Sequence, residues 1–187
     1  KRLVRGDTFI GAFVCLPCPE SAELLAEIGY DWLIIDTEHG PYGVLEAQRA
    51  MQAVGRRCPC VVRVPANDDV WIKKALDIGA AGVLVPLVNT AAVAAQVARA
   101  CKYAPAGNRG MGLARAHRYG AGFQDYVAQA NDSVAVIVQA EHIEAVEHIG
   151  VGDAADGGAD EELAPEARVL DRHFAVRRFE RGRRRPA

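Results

Sequence analysis

Two stretches of this sequence, residues 21–36 and 71–86, repeat one pattern fifty residues apart. In SAELLAEIGYDWLIID and in WIKKALDIGAAGVLVP, an amphipathic run stops at a glycine and an unbroken apolar run begins three residues later. Gly29 and Gly79 stand where a helix ends in the left-handed conformation that glycine adopts without strain. Apolar runs that do not alternate with polar residues predict strands covered on both faces, as in a parallel sheet.

Further apolar runs keep the rhythm: FIGAFVC at 9–15, CVVRVP at 60–65 and SVAVIVQAE at 133–141. Helical periodicity fills 44–55, 68–78 and 90–102 between them. Strand–helix alternation at this spacing predicts α/β architecture, with βα units joined by right-handed crossovers. Five strands are visible, and an open doubly wound sheet and a barrel both accommodate five. A chain of 187 residues suffices for one domain with a sizeable core.

The strand exits carry the chemistry. After Trp32 to Ile35 come Asp36, Glu38 and His39, although the turn at Gly40 and Pro41 needs none of them. Arg63 lies near the end of the third strand, and Gln139 and Glu141 close the fifth. In a parallel sheet these positions share the carboxyl edge, where (β/α) barrels build active sites. Singly, each has a plainer role: His39 a satisfied structural side chain, Arg63 half of an ion pair, Glu141 a solvated rim residue. Their recurrence on successive exits favours a common site.

Net charge is -2, which provides no general drive toward nucleic acid or an anionic membrane. No apolar stretch approaches the roughly 20 residues of a membrane helix, and KRLVRGDTFIGAF has no long apolar segment of a secretory signal. A cytoplasmic location is the expectation. The five cysteines are an odd number for a disulfide framework. Cys15-x-x-Cys18 and Cys58-x-Cys60 together offer four thiolates to zinc, but the second pair lacks the usual two-residue gap. Small apolar residues beside strand ends are the favoured reading of these cysteines, including Cys101.

In order along the chain, GYDWLIIDTEHGP, VVRVP, LDIGAAGVLVP, KYAPAGNRG and VQAE resemble the HpcH/HpaI aldolase family over about residues 9–149. The combined D-x-E-H-x-P, V-R-x-P and Q-x-E motifs carry the resemblance. The family comprises class II, metal-dependent pyruvate aldolases of the 4-hydroxy-2-oxoheptanedioate and 2-dehydro-3-deoxyglucarate type. It implies a (β/α)8 barrel, of which about five βα units would lie in residues 1–149. It implies a lyase that cleaves 4-hydroxy-2-oxo acids to pyruvate and an aldehyde, with Mg²⁺ or Mn²⁺ (Co²⁺ possible) as cofactor and a homo-oligomer, a hexamer in the family. Acyl-CoA lyase chemistry, as in citrate-lyase-like relatives, is a weaker match because of the E-H-G-P signature.

By the same resemblance, His39 is the base acting through a metal-bound water, with Asp36 as its dyad partner. Arg63 holds the carbonyl oxygen of pyruvate and stabilises the enolate, a role suited to a permanently charged fork of donors. Gln139 donates to the same ligand, and Glu141 is the first of two carboxylate metal ligands. Glu38 is a supporting residue. Asp77 matches a position near the mouth, in an aldehyde-side or structural role, and could equally cap the Gly79 turn. The stretch AGNRGMG at 106–112 is implied to be a mobile loop rather than a phosphate cradle. Its neighbours Arg109, Arg115, His117 and Arg118 are expected to be solvated or interface residues.

After AVEHI at 145–149 the resemblance stops. The family continues with a strand carrying G-P-x-D-L, whose aspartate is the second metal ligand. Residues 150–187 instead hold eight acids, eight arginines and no lysine. This composition predicts a charged, irregular tail, in the manner of a shifted reading frame or a foreign end. Asp160 is a low-ranking substitute for the lost ligand, beside Asp153 and Asp156. Two functions are compatible with this: an active pyruvate aldolase, or an inactive homologue that has lost its metal.

Overall fold

A computed structural model describes residues 8–145; the tail at 150–187 and its candidate ligand Asp160 lie outside the described residues. All five expected strands form: β1 (Gly11–Val14), β2 (Trp32–Asp36), β3 (Cys60–Arg63), β4 (Gly82–Val85) and β5 (Ala135–Val138). They pair in parallel in the order β1-β2-β3-β4-β5, with no reversal. The helices expected between them are α1 (Pro19–Ile28), α2 (Val44–Val54), α3 (Asp69–Asp77) and α4 (Ala91–Cys101). Among the described residues no helix is long and apolar enough to cross a membrane.

The two faces of the sheet differ, and that difference separates a barrel from a doubly wound sheet. Leu33, Ile35, Val62, Val64, Val83 and Val85 pack with Ala22, Ala47, Met51, Ile72, Leu76 and Val97 of the four helices in one large core. The alternate residues Ile34, Val61 and Leu84 form a separate cluster with Trp32 and Ile137, to which no helix among the described residues contributes. Helices on one face only, over strands in sequence order, are the wall of a (β/α) barrel. The face that carries no helix among the described residues is its interior.

Local signals account for the boundaries. Gly29 and Gly79 sit at φ 95° and 96°, the left-handed conformation expected after the helical runs. The Asp68 carboxylate accepts from the Val70 and Trp71 amides at the start of α3, and Thr90 Oγ1 accepts from Val93 at the start of α4. At Gly82 the constraint is space: a Cβ there would lie 2.4 Å from the Ala135 carbonyl oxygen across the β4–β5 ladder. Gly82→Ala is expected to cost about 2 kcal/mol and about 6 °C in thermal midpoint by calorimetry. An unchanged midpoint would mean that β5 moves away freely.

The segment between α4 and β5 departs from expectation. A short 3-10 helix (Arg115–Gly120) and a fifth helix, α5 (Phe123–Ser133), occupy it. Arg109 and His117 are buried, at 5% and 2% exposure, rather than solvated. The Arg109 guanidinium donates to Asp77 Oδ1 at 2.8 Å and to the Tyr126 hydroxyl at 3.2 Å, and lies over the Tyr103 ring. The His117 ring bonds the main chain of its own loop at Gly112 and Gly120. Arg115 donates to the Ile78 carbonyl at 2.7 Å, past the end of α3. Only Arg118 of the four is exposed, as expected. Charge on these residues signalled solvent; α3 and α5 supply the partners that bring them inside.

Candidate active site

Period-two alternation places the chemistry. Trp32 and Ile34 face the barrel interior, so Asp36 does too; Val61 points Arg63 the same way, and Ile137 points Gln139. Register then joins them: Asp36 pairs with Arg63, Arg63 with Leu84, and Leu84 with Ile137. One rung near the carboxyl edge therefore runs from Asp36 through Arg63 to β5. At about 4.8 Å per strand, β3 and β5 are about 10 Å apart, within reach of one small ligand.

Asp36 and Arg63 form a two-bonded fork. Arg63 Nε donates to Asp36 Oδ1 at 2.9 Å, and Nη2 donates to Oδ2 at 2.7 Å. Its third nitrogen, Nη1, lies 3.1 Å from Glu38 Oε2. The backbone amides of Glu38 and His39 also donate to Asp36 Oδ1, so one carboxylate shapes the loop after β2. Burial pushes the Asp36 carboxyl upward, but the Arg63 fork and these amides outweigh it and hold it below the ordinary carboxylate range. The same fork raises Arg63 above its already high value. A guanidinium has five N–H donors, so donors remain for a ligand in the interior.

His39 departs from the dyad expected for it. Its ring is 72% exposed at the rim and lies 3.7 Å from Glu38 Oε2, while Asp36 is occupied by Arg63 and main-chain amides. The acidic neighbour of the imidazole is Glu38, not Asp36. Asp77 is not at the mouth either. It ends α3, which runs back to the amino edge, where it pairs with Arg109.

On the other side of the mouth, Glu141 Oε1 accepts from the Leu87 amide at 3.0 Å, and Oε2 faces Gln139 Nε2 at 3.4 Å. Gln139 Oε1 is buried without a partner among the described residues. A hard divalent cation takes oxygen ligands, and an exposed carboxylate beside an unsatisfied amide oxygen fits one. Among the described residues no group of three or more His, Cys, Asp or Glu converges, so water and ligand would complete such a shell.

Two further side chains, Cys15 and Phe13, contribute to the site. The Cys15 thiol donates to Asp36 Oδ2 at 3.7 Å; burial, then the Asp36 charge, raises its pKa. Phe13 lies beneath the guanidinium, 5.0 Å from ring centre to Cζ. Register brings both to the site: Phe13 pairs with Ile34, and Val14 pairs with Ile35, so the next residue, Cys15, flanks Asp36. The four thiols considered for zinc do not converge. Cys15 and Cys18 are exposed beyond β1, whereas Cys60 begins β3, where burial pushes its thiol up to about 12.

Comparison with known proteins identifies the family. The chain is 45% identical over 158 residues to a 4-hydroxy-2-oxovalerate aldolase of Novosphingobium aromaticivorans, covering 83% of this chain and 60% of that protein. It is 41% identical over 150 residues to a 2-keto-3-deoxy-L-rhamnonate aldolase of Salmonella gallinarum, covering 79% and 56%. A crystal structure of an HpcH/HpaI aldolase/citrate lyase family protein from Burkholderia cenocepacia superposes with TM-score 0.74 at 36% identity, covering 79% of this chain and 61% of that one. The chain thus spans about six-tenths of the length of these curated relatives. The family description HpcH/HpaI aldolase/citrate lyase matches residues 10–151, and the chain belongs to that family.

Proposed function

We propose that this chain forms the front of a divalent-metal-dependent pyruvate aldolase that cleaves 4-hydroxy-2-oxo acids to pyruvate and an aldehyde. The observation that carries the proposal is the Asp36–Arg63 fork, which sets a guanidinium on the interior face of the carboxyl edge, two strands from Gln139 and Glu141. The names of the relatives support the same class of reaction.

Retro-aldol cleavage needs three things: a base for the 4-hydroxyl proton, a charge sink at the 2-oxo oxygen, and a proton for C3. His39 at the rim takes the hydroxyl proton, with Glu38 steadying the imidazolium. The C3–C4 bond breaks, its electrons pass to the 2-oxo oxygen, and the aldehyde leaves. The remaining Arg63 donors hold that oxygen as it becomes an enolate, and the proton taken up by His39 returns to C3 to give pyruvate and the neutral imidazole. A divalent cation held by Glu141 and Gln139 would supply Lewis-acid polarisation of the same oxo group. Mg²⁺ or Mn²⁺ fits the oxygen donors, and a homo-oligomer belongs to the same proposal.

The second reading is a homologue that does not catalyse. It rests on residues 150–187, where GVGDAADGGADEELAPEARVL stands in place of the family's G-P-x-D-L strand. Calorimetric Mn²⁺ titration with and without pyruvate, paired with pyruvate release from a 4-hydroxy-2-oxo acid, decides between them. Weak binding strengthened by pyruvate is expected, because one carboxylate holds a hard ion poorly and a 2-oxo acid adds two oxygens. Tight binding without pyruvate would assign a second ligand to the tail. Absence of both binding and turnover would leave the second reading standing.

A further inference from the structure

Leu87 is a non-glycine residue held in the left-handed conformation, at φ 55°. Its side chain is 61% exposed, so core packing does not impose that backbone. The β4–β5 ladder does. Gln139 donates to the Val85 carbonyl at 2.9 Å, and a regular parallel ladder would return a bond from residue 87 to the Gln139 carbonyl. Val88 makes that bond instead, at 3.0 Å. One extra residue has entered β4 beyond Pro86, and a left-handed residue at such a bulge re-aims the chain. The displaced amide of Leu87 leaves the ladder and donates to Glu141 Oε1 at 3.0 Å.

We infer that Leu87 is a positioning residue: its bulge takes one main-chain N–H out of the sheet to orient the Glu141 carboxylate toward the mouth. The role is carried by the backbone, not by the leucine side chain. The arrangement suits a metal-binding carboxylate, because an N–H on Oε1 fixes the carboxyl plane while leaving lone pairs on both oxygens. The inference rests on the proposed aldolase reading for what Glu141 binds, but not for how Glu141 is held.

Three variants of the full chain test it: Leu87→Gly, Leu87→Val and Glu141→Ala. Glycine keeps the N–H and accepts positive φ, whereas a β-branched residue resists it. Mn²⁺ affinity, measured by water-proton relaxation, is expected to fall about tenfold in Leu87→Val and to stay within about threefold of the parent in Leu87→Gly. A side-chain role predicts the reverse order, and that order would overturn the inference. Independently of metal, Glu141→Ala should speed hydrogen exchange of the Leu87 amide about tenfold and leave Val88 unchanged. An unaltered Leu87 amide would also overturn it. Should the parent bind no Mn²⁺, the metal reading fails, and the exchange result alone decides whether Leu87 holds Glu141.

Discussion

Arg63→Ala is expected to lower pyruvate release from a 4-hydroxy-2-oxo acid by about a hundredfold or more, the usual effect of removing an oxyanion donor. It should also weaken the fold. Asp36 is 1% exposed and would be left as a buried carboxylate without its cation, at a cost of about 3 kcal/mol in urea unfolding. The backbone amides on Oδ1 remain and keep the loss from being larger. Arg63→Lys separates the two effects. A lysine restores the charge beside Asp36 but not the fork, so most of the stability should return while turnover stays low. Full turnover in Arg63→Ala would remove Arg63 from the reaction.

Asp36→Asn should have the second largest effect, and acid should reveal it. The folded carboxyl titrates below its ordinary value of 3.8. A lowered folded pKa means that the contribution is complete above the ordinary value and is lost as pH falls through the lowered one. Parent stability should therefore drop below about pH 4 more steeply than that of Asp36→Asn, which has nothing to titrate there. At neutral pH the variant should be weaker by about 2 kcal/mol, because among the described residues Arg63 keeps only Glu38 as an anionic partner. Parallel acid profiles in denaturant titrations would show that the fork contributes no pH linkage.

The helix–glycine–strand repeats, the five strands and the shared edge of Asp36, Arg63, Gln139 and Glu141 follow from sequence alone. Their causes are local: periodicity sets each element, Gly29 and Gly79 end helices, and parallel crossovers put every strand exit on one side. Partner choice is not local. Asp36 takes Arg63 rather than the His39 ring because register between strands 27 residues apart sets the two side chains on one rung, while His39 continues into the loop. Asp77 belongs to the opposite edge because α3 runs antiparallel to the strands, and Arg109 and His117 are buried because α5 and the 3-10 helix close over them. The bulge at Leu87 appears only when β4 is laid against β5. Tertiary structure decided these points because side-chain partners and ladder register depend on distances between segments that no short stretch of sequence specifies.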